Sequence, residues 1–164
     1  MDRHFIANMG AELGAKSTVF PSDGEIKRYL KEQGREDDWS ELKADKGATY
    51  DINEGINLSE VVPLVAKPTS PGNVLPVSEI AGTPIYQSYI GSSANPGYHD
   101  CAIAAEIVKG KQIADGVSFD INPTSRQMLT DLLQEGHIAS FIQAGGRLHQ
   151  AGCNGCIGMG QAPA

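Results

Sequence analysis

Cys153 and Cys156 stand three apart in Arg147-Leu-His-Gln-Ala-Gly-Cys153-Asn-Gly-Cys156-Ile-Gly-Met-Gly-Gln161. Two thiolates at this spacing can turn to one side and hold a single metal centre. Glycines around them let backbone N–H groups approach the sulfurs and tune such a centre. A C-x-x-C motif alone also fits a structural turn with buried thiols, or a redox pair. The redox reading wants a helix after the motif to lower a thiol pKa, and the Gly- and Pro-bearing tail gives little sign of one. His149, four residues before Cys153, makes a His-Cys-Cys zinc site conceivable, with its fourth ligand unidentified.

The elements that must carry this loop alternate. Residues 85–90 read as a strand ending in Gly91-Ser-Ser-Ala-Asn95-Pro96. Asn95 as cap and Pro96 as first helical residue predict a helix to about Lys109, with Tyr98, Cys101, Ala102, Ala105 and Val108 on its apolar stripe. Cys101 is thereby a packing residue. Residues 117–121 form the next strand, and Asn122-Pro123 repeats the cap-plus-proline device before a helix carrying Met128, Leu129, Leu132 and Leu133. A short helix over 137–144 and a third strand over 148–151 follow.

Such alternation predicts an α/β fold: three layers, a mostly parallel sheet with helices on both faces. Parallel strands align their carboxyl ends on one rim, where ligands bind. Gly91–Asn95, Ile121–Pro123 and Gly152–Cys156 are therefore expected to converge, bringing Ser92 and Ser93 toward Cys153 and Cys156. The two serines could equally be helix caps or an anion-binding helix start.

The first half is less regular. Small residues at Gly10, Ala11, Gly14 and Ala15 suit a closely packed short helix, on which Asn8 and Glu12 would share a face. Asp23 can cap a helix to about Gln33, stopped by Gly34; Asp37 or Asp38 begins another, carrying Trp39 and Leu42. Tyr50, Ile52, Ile56 and Leu58 alternate like a half-buried strand. Four prolines between Lys67 and Pro84 mark a connector. Residues 1–80 read as an α/β appendage, the end of a preceding domain plus linker, and 81–164 as the parallel domain.

Composition narrows the class. With 164 residues and 40% hydrophobic content the chain is globular. Its net charge of −7, with five arginines and eight lysines nowhere clustered, argues against nucleic acid. No apolar run approaches membrane-spanning length. Three cysteines, two of them in the glycine-flanked pair, suit the cytoplasm better than a disulfide framework.

Three blocks carry a resemblance: Asn8-Met-Gly-Ala-Glu12-Leu-Gly-Ala with Val19-Phe-Pro, then Ile90-Gly-Ser-Ser-Ala-Asn95 with Tyr98-His-Asp, then Ala151-Gly-Cys153-Asn-Gly-Cys156-Ile-Gly. In type and order they resemble the aconitase family, which includes aconitate hydratases, homoaconitases and isopropylmalate isomerases, and the first block looks more like aconitate hydratase. The resemblance implies a hydro-lyase with a [4Fe–4S] cluster, isomerising a hydroxy-tricarboxylate (citrate to isocitrate via cis-aconitate, in the tricarboxylic acid cycle) by removing and re-adding water. One iron, lacking a protein ligand, would act as Lewis acid.

Cys153 and Cys156 match two of the family's three cluster cysteines. Ser93 occupies the third place, so the resemblance implies a cluster that is labile or absent. Cys101 is about two helical turns away, roughly 12 Å of axial rise, too far to substitute. The resemblance further puts Asn8 beside the cluster, Ser92 and Asn95 near cluster and substrate, and Glu12 in the hydrogen-bonded support of the catalytic water. The family's catalytic serine, most of its substrate arginines and its His–Asp pairs have no counterpart here. The expected partners are a small polycarboxylate and the remaining aconitase domains, in the same chain or another subunit; the chain alone should be inactive. The competing readings are a non-catalytic binding module with a lost cluster, part of an isopropylmalate or homocitrate isomerase, and the redox module.

Overall fold

The computed structural model describes residues 2–159, the side chains of Asp2 and Cys156 excepted. In chain order the helices are α1 (Asp2–Met9), α2 (Gly24–Glu32), α3 (Tyr98–Val108), α4 (Arg126–Gln134) and α5 (His137–Gln143). The strands are β1 (Leu64–Ala66), β2 (Val74–Pro76), β3 (Gln87–Gly91), β4 (Ser118–Asn122) and β5 (Arg147–Leu148). They form two compact units: Val19–Pro84, and the first eighteen residues together with the chain from Ile85 onward.

In the unit Val19–Pro84, Asp23 caps α2 as its side chain suggests, its Oδ1 accepting from the Glu25 and Ile26 N–H groups at 3.1 and 3.4 Å. Gly34 ends the helix at φ +67°. The second helix expected from Asp37 or Asp38 is only a 3₁₀ turn, Glu36–Asp38. Its continuation is taken by a backbone pair, in which Ser22 and Leu42 exchange bonds of 2.8 and 3.2 Å and draw the chain out straight. The alternating stretch from Tyr50 to Leu58 is no strand: it has no pairing partner, and Ile52 and Leu58 are 77% and 81% exposed. The proline-bearing connector holds the pairing instead, β1 antiparallel to β2 with Val65 opposite Leu75.

The other unit has α/β architecture. β3, β4 and β5 form a parallel sheet in that order, with Gly91 beside Asn122 and Ile121 beside Leu148. β4 alternates: Phe119 and Ile121 enter a core with Cys101 and Ala105 of α3, Met128 and Leu132 of α4, and Ile138 and Phe141 of α5. α3, α4 and α5 pack on one another around that one core. They cover the side of the sheet that Phe119 and Ile121 present. At the alternate positions of β4, Asp120 and Asn122 are fully buried but polar, and both bind side chains.

Two helix starts differ from the expectation. α3 begins after Gly97, whose N–H donates to Asp100 at 2.9 Å, while Asn95–Pro96 precedes it as a cis peptide. α4 is capped by Ser125, which accepts from the Met128 N–H at 3.1 Å, because Asn122 is still the last residue of β4. Ser125→Ala is accordingly expected to cost about 1 kcal/mol of unfolding free energy, read as a fall in the denaturant midpoint. α1 stops at Met9, and residues 10–14 are turns. Glycines at 10 and 14 are weak helix formers, and a Cβ on Gly10 would meet Thr18 Oγ1 at 2.5 Å. Asn8 and Glu12, both exposed, therefore do not share a helix face.

Candidate functional site

The carboxyl ends of the three parallel strands supply the rim. β3 ends in Gly91, where a Cβ would lie 2.0 Å from the Asn122 carbonyl oxygen, so only glycine lets the first two strands close this tightly. After β5 the chain returns across the strand ends. The Gly152 N–H donates to the Pro123 carbonyl at 3.2 Å, and the Gly155 N–H to the Tyr89 hydroxyl at 3.0 Å. Tyr89 donates in turn to Asn122 Oδ1 at 2.8 Å, which also accepts from Asn154 Nδ2 at 3.1 Å. Of the expected convergence of Gly91–Asn95, Ile121–Pro123 and Gly152–Cys156, these bonds join Gly91, Ile121–Pro123 and Gly152–Gly155.

Cys153 lies exposed on this loop, and Cys156 follows in a 3₁₀ turn, Gly155–Ile157. The Cys156 thiol lies outside the described residues. Ser93 is exposed in the turn that leaves β3. Ser92 braces that turn, its hydroxyl donating to the Asn95 carbonyl and accepting from the Ala94 N–H, both at 3.3 Å. Asn95 is exposed beside it. Asn8 and Glu12 lie at the end of α1 and in the turns after it. Cys101 is a core residue, and burial, then the Asp100 charge, push its thiol up to about 11, which makes it a poor ligand.

The polar face of the sheet carries a second cluster. Asp120 has no exposed surface, yet its carboxylate accepts from Gln87 at 3.0 Å, Ser118 at 2.7 Å and Arg147 Nε at 3.1 Å. His149 Nε2 stands 2.9 Å from its Oδ1, and Arg147 also reaches Ser118. Burial alone would raise the Asp120 pKa; the bonds from His149, Ser118 and Gln87 and the Arg147 charge outweigh it and hold the pKa near 2. His149 thus spends one ring nitrogen, Nε2, on a buried carboxylate. The sequence reading missed Tyr89, Asp120, Asn122 and Asn154. The signal was there: polar residues at every second position of a strand meant to be buried must find partners.

Among the described residues no cluster of three or more His, Cys, Asp or Glu forms a metal site. At the rim, the exposed Cys153 and the open space beside Gly152, where a Cβ would meet nothing within 4 Å, suit a thiophilic centre, and the sequence adds Cys156 at C-x-x-C spacing. No helix among the described residues is long and apolar enough to cross a membrane.

A parallel α/β unit with a cysteine loop across its strand ends is thus the class that fold and site define. The model of the aconitase family (aconitate hydratase) matches residues 1–84 and 78–164, and the chain belongs to that family. It is 40% identical over 160 residues to 3-isopropylmalate dehydratase large subunit 2 of Archaeoglobus fulgidus, covering 98% of this chain and 38% of that protein. It is 37% identical over 158 residues to the 3-isopropylmalate dehydratase large subunit of Elusimicrobium minutum, covering 96% of this chain and 38% of that one. Large subunit 1 of the Thermotoga maritima dehydratase gives 36% over 160 residues, with 96% and 38% covered. The chain thus spans about two fifths of the length of the curated relatives it matches. These relatives carry the isopropylmalate name, so they lend no support to the leaning toward aconitate hydratase and the tricarboxylic acid cycle.

Proposed function

We propose that this chain is the cluster-holding part of a hydro-lyase that isomerises a hydroxy-polycarboxylate by dehydration and rehydration. Membership of the aconitase family supports the reaction class. The observation that carries the site is the seating of the Cys153–Cys156 loop on the rim where β3, β4 and β5 end. Cys153 and Cys156 would hold a [4Fe–4S] cluster, with Ser93 in the third place. The cluster, when bound, supplies a Lewis-acidic iron that polarises the substrate hydroxyl and carboxylate. Ser92 and Asn95 hold the turn bearing Ser93; with the cluster bound, Asn8 would stand beside it and Glu12 would orient the catalytic water.

The substrate to test first is an isopropylmalate, since the relatives are named for it; citrate is the comparison arm. The large-subunit names of those relatives support a working enzyme completed by further domains or a second subunit, in the reducing cytoplasm that suits two thiolate ligands. Anaerobic reconstitution with iron and sulfide is expected to give the iron–sulfur charge-transfer absorption, and the chain alone is expected to turn over neither substrate. A protein that takes up no iron, or that loses nothing when Cys153 and Cys156 are both replaced by serine, would remove the basis for this reading.

A further inference from the structure

The loop of the two cysteines does not rest on its own glycines. Four of its positions are tied to the sheet: the Gln150 carbonyl accepts from Asn122 Nδ2 at 3.0 Å, the Gly152 N–H reaches Pro123, the Asn154 side chain reaches Asn122 Oδ1, and the Gly155 N–H reaches the Tyr89 hydroxyl. Asn122 is the hub. It has no exposed surface, its oxygen accepts from Tyr89 and Asn154, and its amide nitrogen donates to Gln150 and, at 3.2 Å, to Pro123. Bonds on both ends of the amide fix which way it faces.

Sterics point the same way. A Cβ on Gly155 would fall 2.2 Å from Tyr89 Cζ and 2.3 Å from Cε2, so the loop backbone lies directly on the tyrosine ring. The ring cannot easily give way. It also lies against the His149 ring, centroids 5.6 Å apart, and His149 is itself held by buried Asp120.

We propose that Tyr89 and Asn122 are positioning residues for the thiolate pair, fixing the Cys153-Asn154-Gly155-Cys156 backbone before any metal arrives. This rests on the reading of Cys153 and Cys156 as metal ligands. A binding loop already held in its bound shape loses less freedom on capture, and partners that orient ligands commonly set metal affinity by tenfold or more. Tyr89 contributes through one hydroxyl, which both accepts from the loop and donates to the hub. Phenylalanine keeps the ring and removes the hydroxyl that makes those two bonds.

The test uses Co²⁺ as the probe, titrated anaerobically into the purified protein and read from the thiolate-to-cobalt charge-transfer absorption. Ser125→Ala serves as comparator, since it weakens the fold at the start of α4 without touching the loop. Tyr89→Phe is expected to weaken cobalt binding about tenfold, with Ser125→Ala unchanged from the parent. Gly155→Ala should weaken it as well, by lifting the loop off the ring. If Tyr89→Phe binds cobalt as the parent does, or if both variants lose affinity in step with lost stability, the positioning role is overturned. A parent protein showing no thiolate-to-cobalt band overturns the metal-site reading itself, and this role with it.

Discussion

Asp120→Ala should lower the unfolding free energy by about 3 kcal/mol, as expected when a buried, charge-assisted hydrogen-bond acceptor is removed. The carboxylate is fully buried and collects bonds from Gln87, Ser118 and Arg147, with His149 at 2.9 Å. Its loss strands donors on the covered part of the sheet. Arg147 can recover water, being 51% exposed, which keeps the cost below that of a wholly buried ion pair. Equilibrium urea unfolding with an unchanged slope is the measurement; a loss under 1 kcal/mol would mean the cluster is decorative.

The same carboxylate sets an acid dependence. Its folded pKa of about 2 lies below the ordinary 3.8, so its stabilisation is fully present above the ordinary value. It is lost as pH falls through that window toward 2, and amounts to roughly 2 kcal/mol. Asp120→Asn, which cannot titrate, should flatten the stability–pH curve between pH 4 and 2.

The second large effect concerns Ser93. A serine oxygen is hard and stays protonated far above neutral pH, whereas a cysteine sulfur ionises near pH 8.5 and is the ordinary ligand of iron–sulfur clusters. If Ser93 stands in the third ligand position, Ser93→Cys should lengthen the lifetime of a reconstituted cluster under chelator by about tenfold. The position is exposed, so the larger sulfur meets no packing cost, and the turn is already held by Ser92. Decay at the parent rate, measured by bleaching of the charge-transfer absorption, would place residue 93 outside the ligand set.

Much of the sheet was legible because its signals are local and agree. Three strands are separated by helices with clear stripes, and Cys101, Ala105, Met128 and Leu132 fall in the core as their spacing requires. Convergence of the cysteine loop with the ends of β3 and β4 follows from parallel order alone. The misses have a common cause, which is competition for a backbone group or side chain by a partner distant in sequence. Asn122 reads as a cap until Tyr89 and Asn154 claim its amide. Leu42 reads as helical until Ser22 pairs with it. The alternation from Tyr50 to Leu58 has the right period and no neighbouring strand to use it. His149 reads as a conceivable zinc ligand because nothing local shows that Asp120, 29 residues earlier, is buried within reach of its ring and of Arg147.

The bond between Tyr89 and Gly155 spans 66 residues, and β3, β4 and the return from β5 must all be in place before it can form. Closing so long a stretch of polypeptide is among the slow events of folding. The cysteine loop is therefore expected to seat late, so that any metal would be bound by a domain already folded. Refolding with Co²⁺ present should then proceed at the metal-free rate.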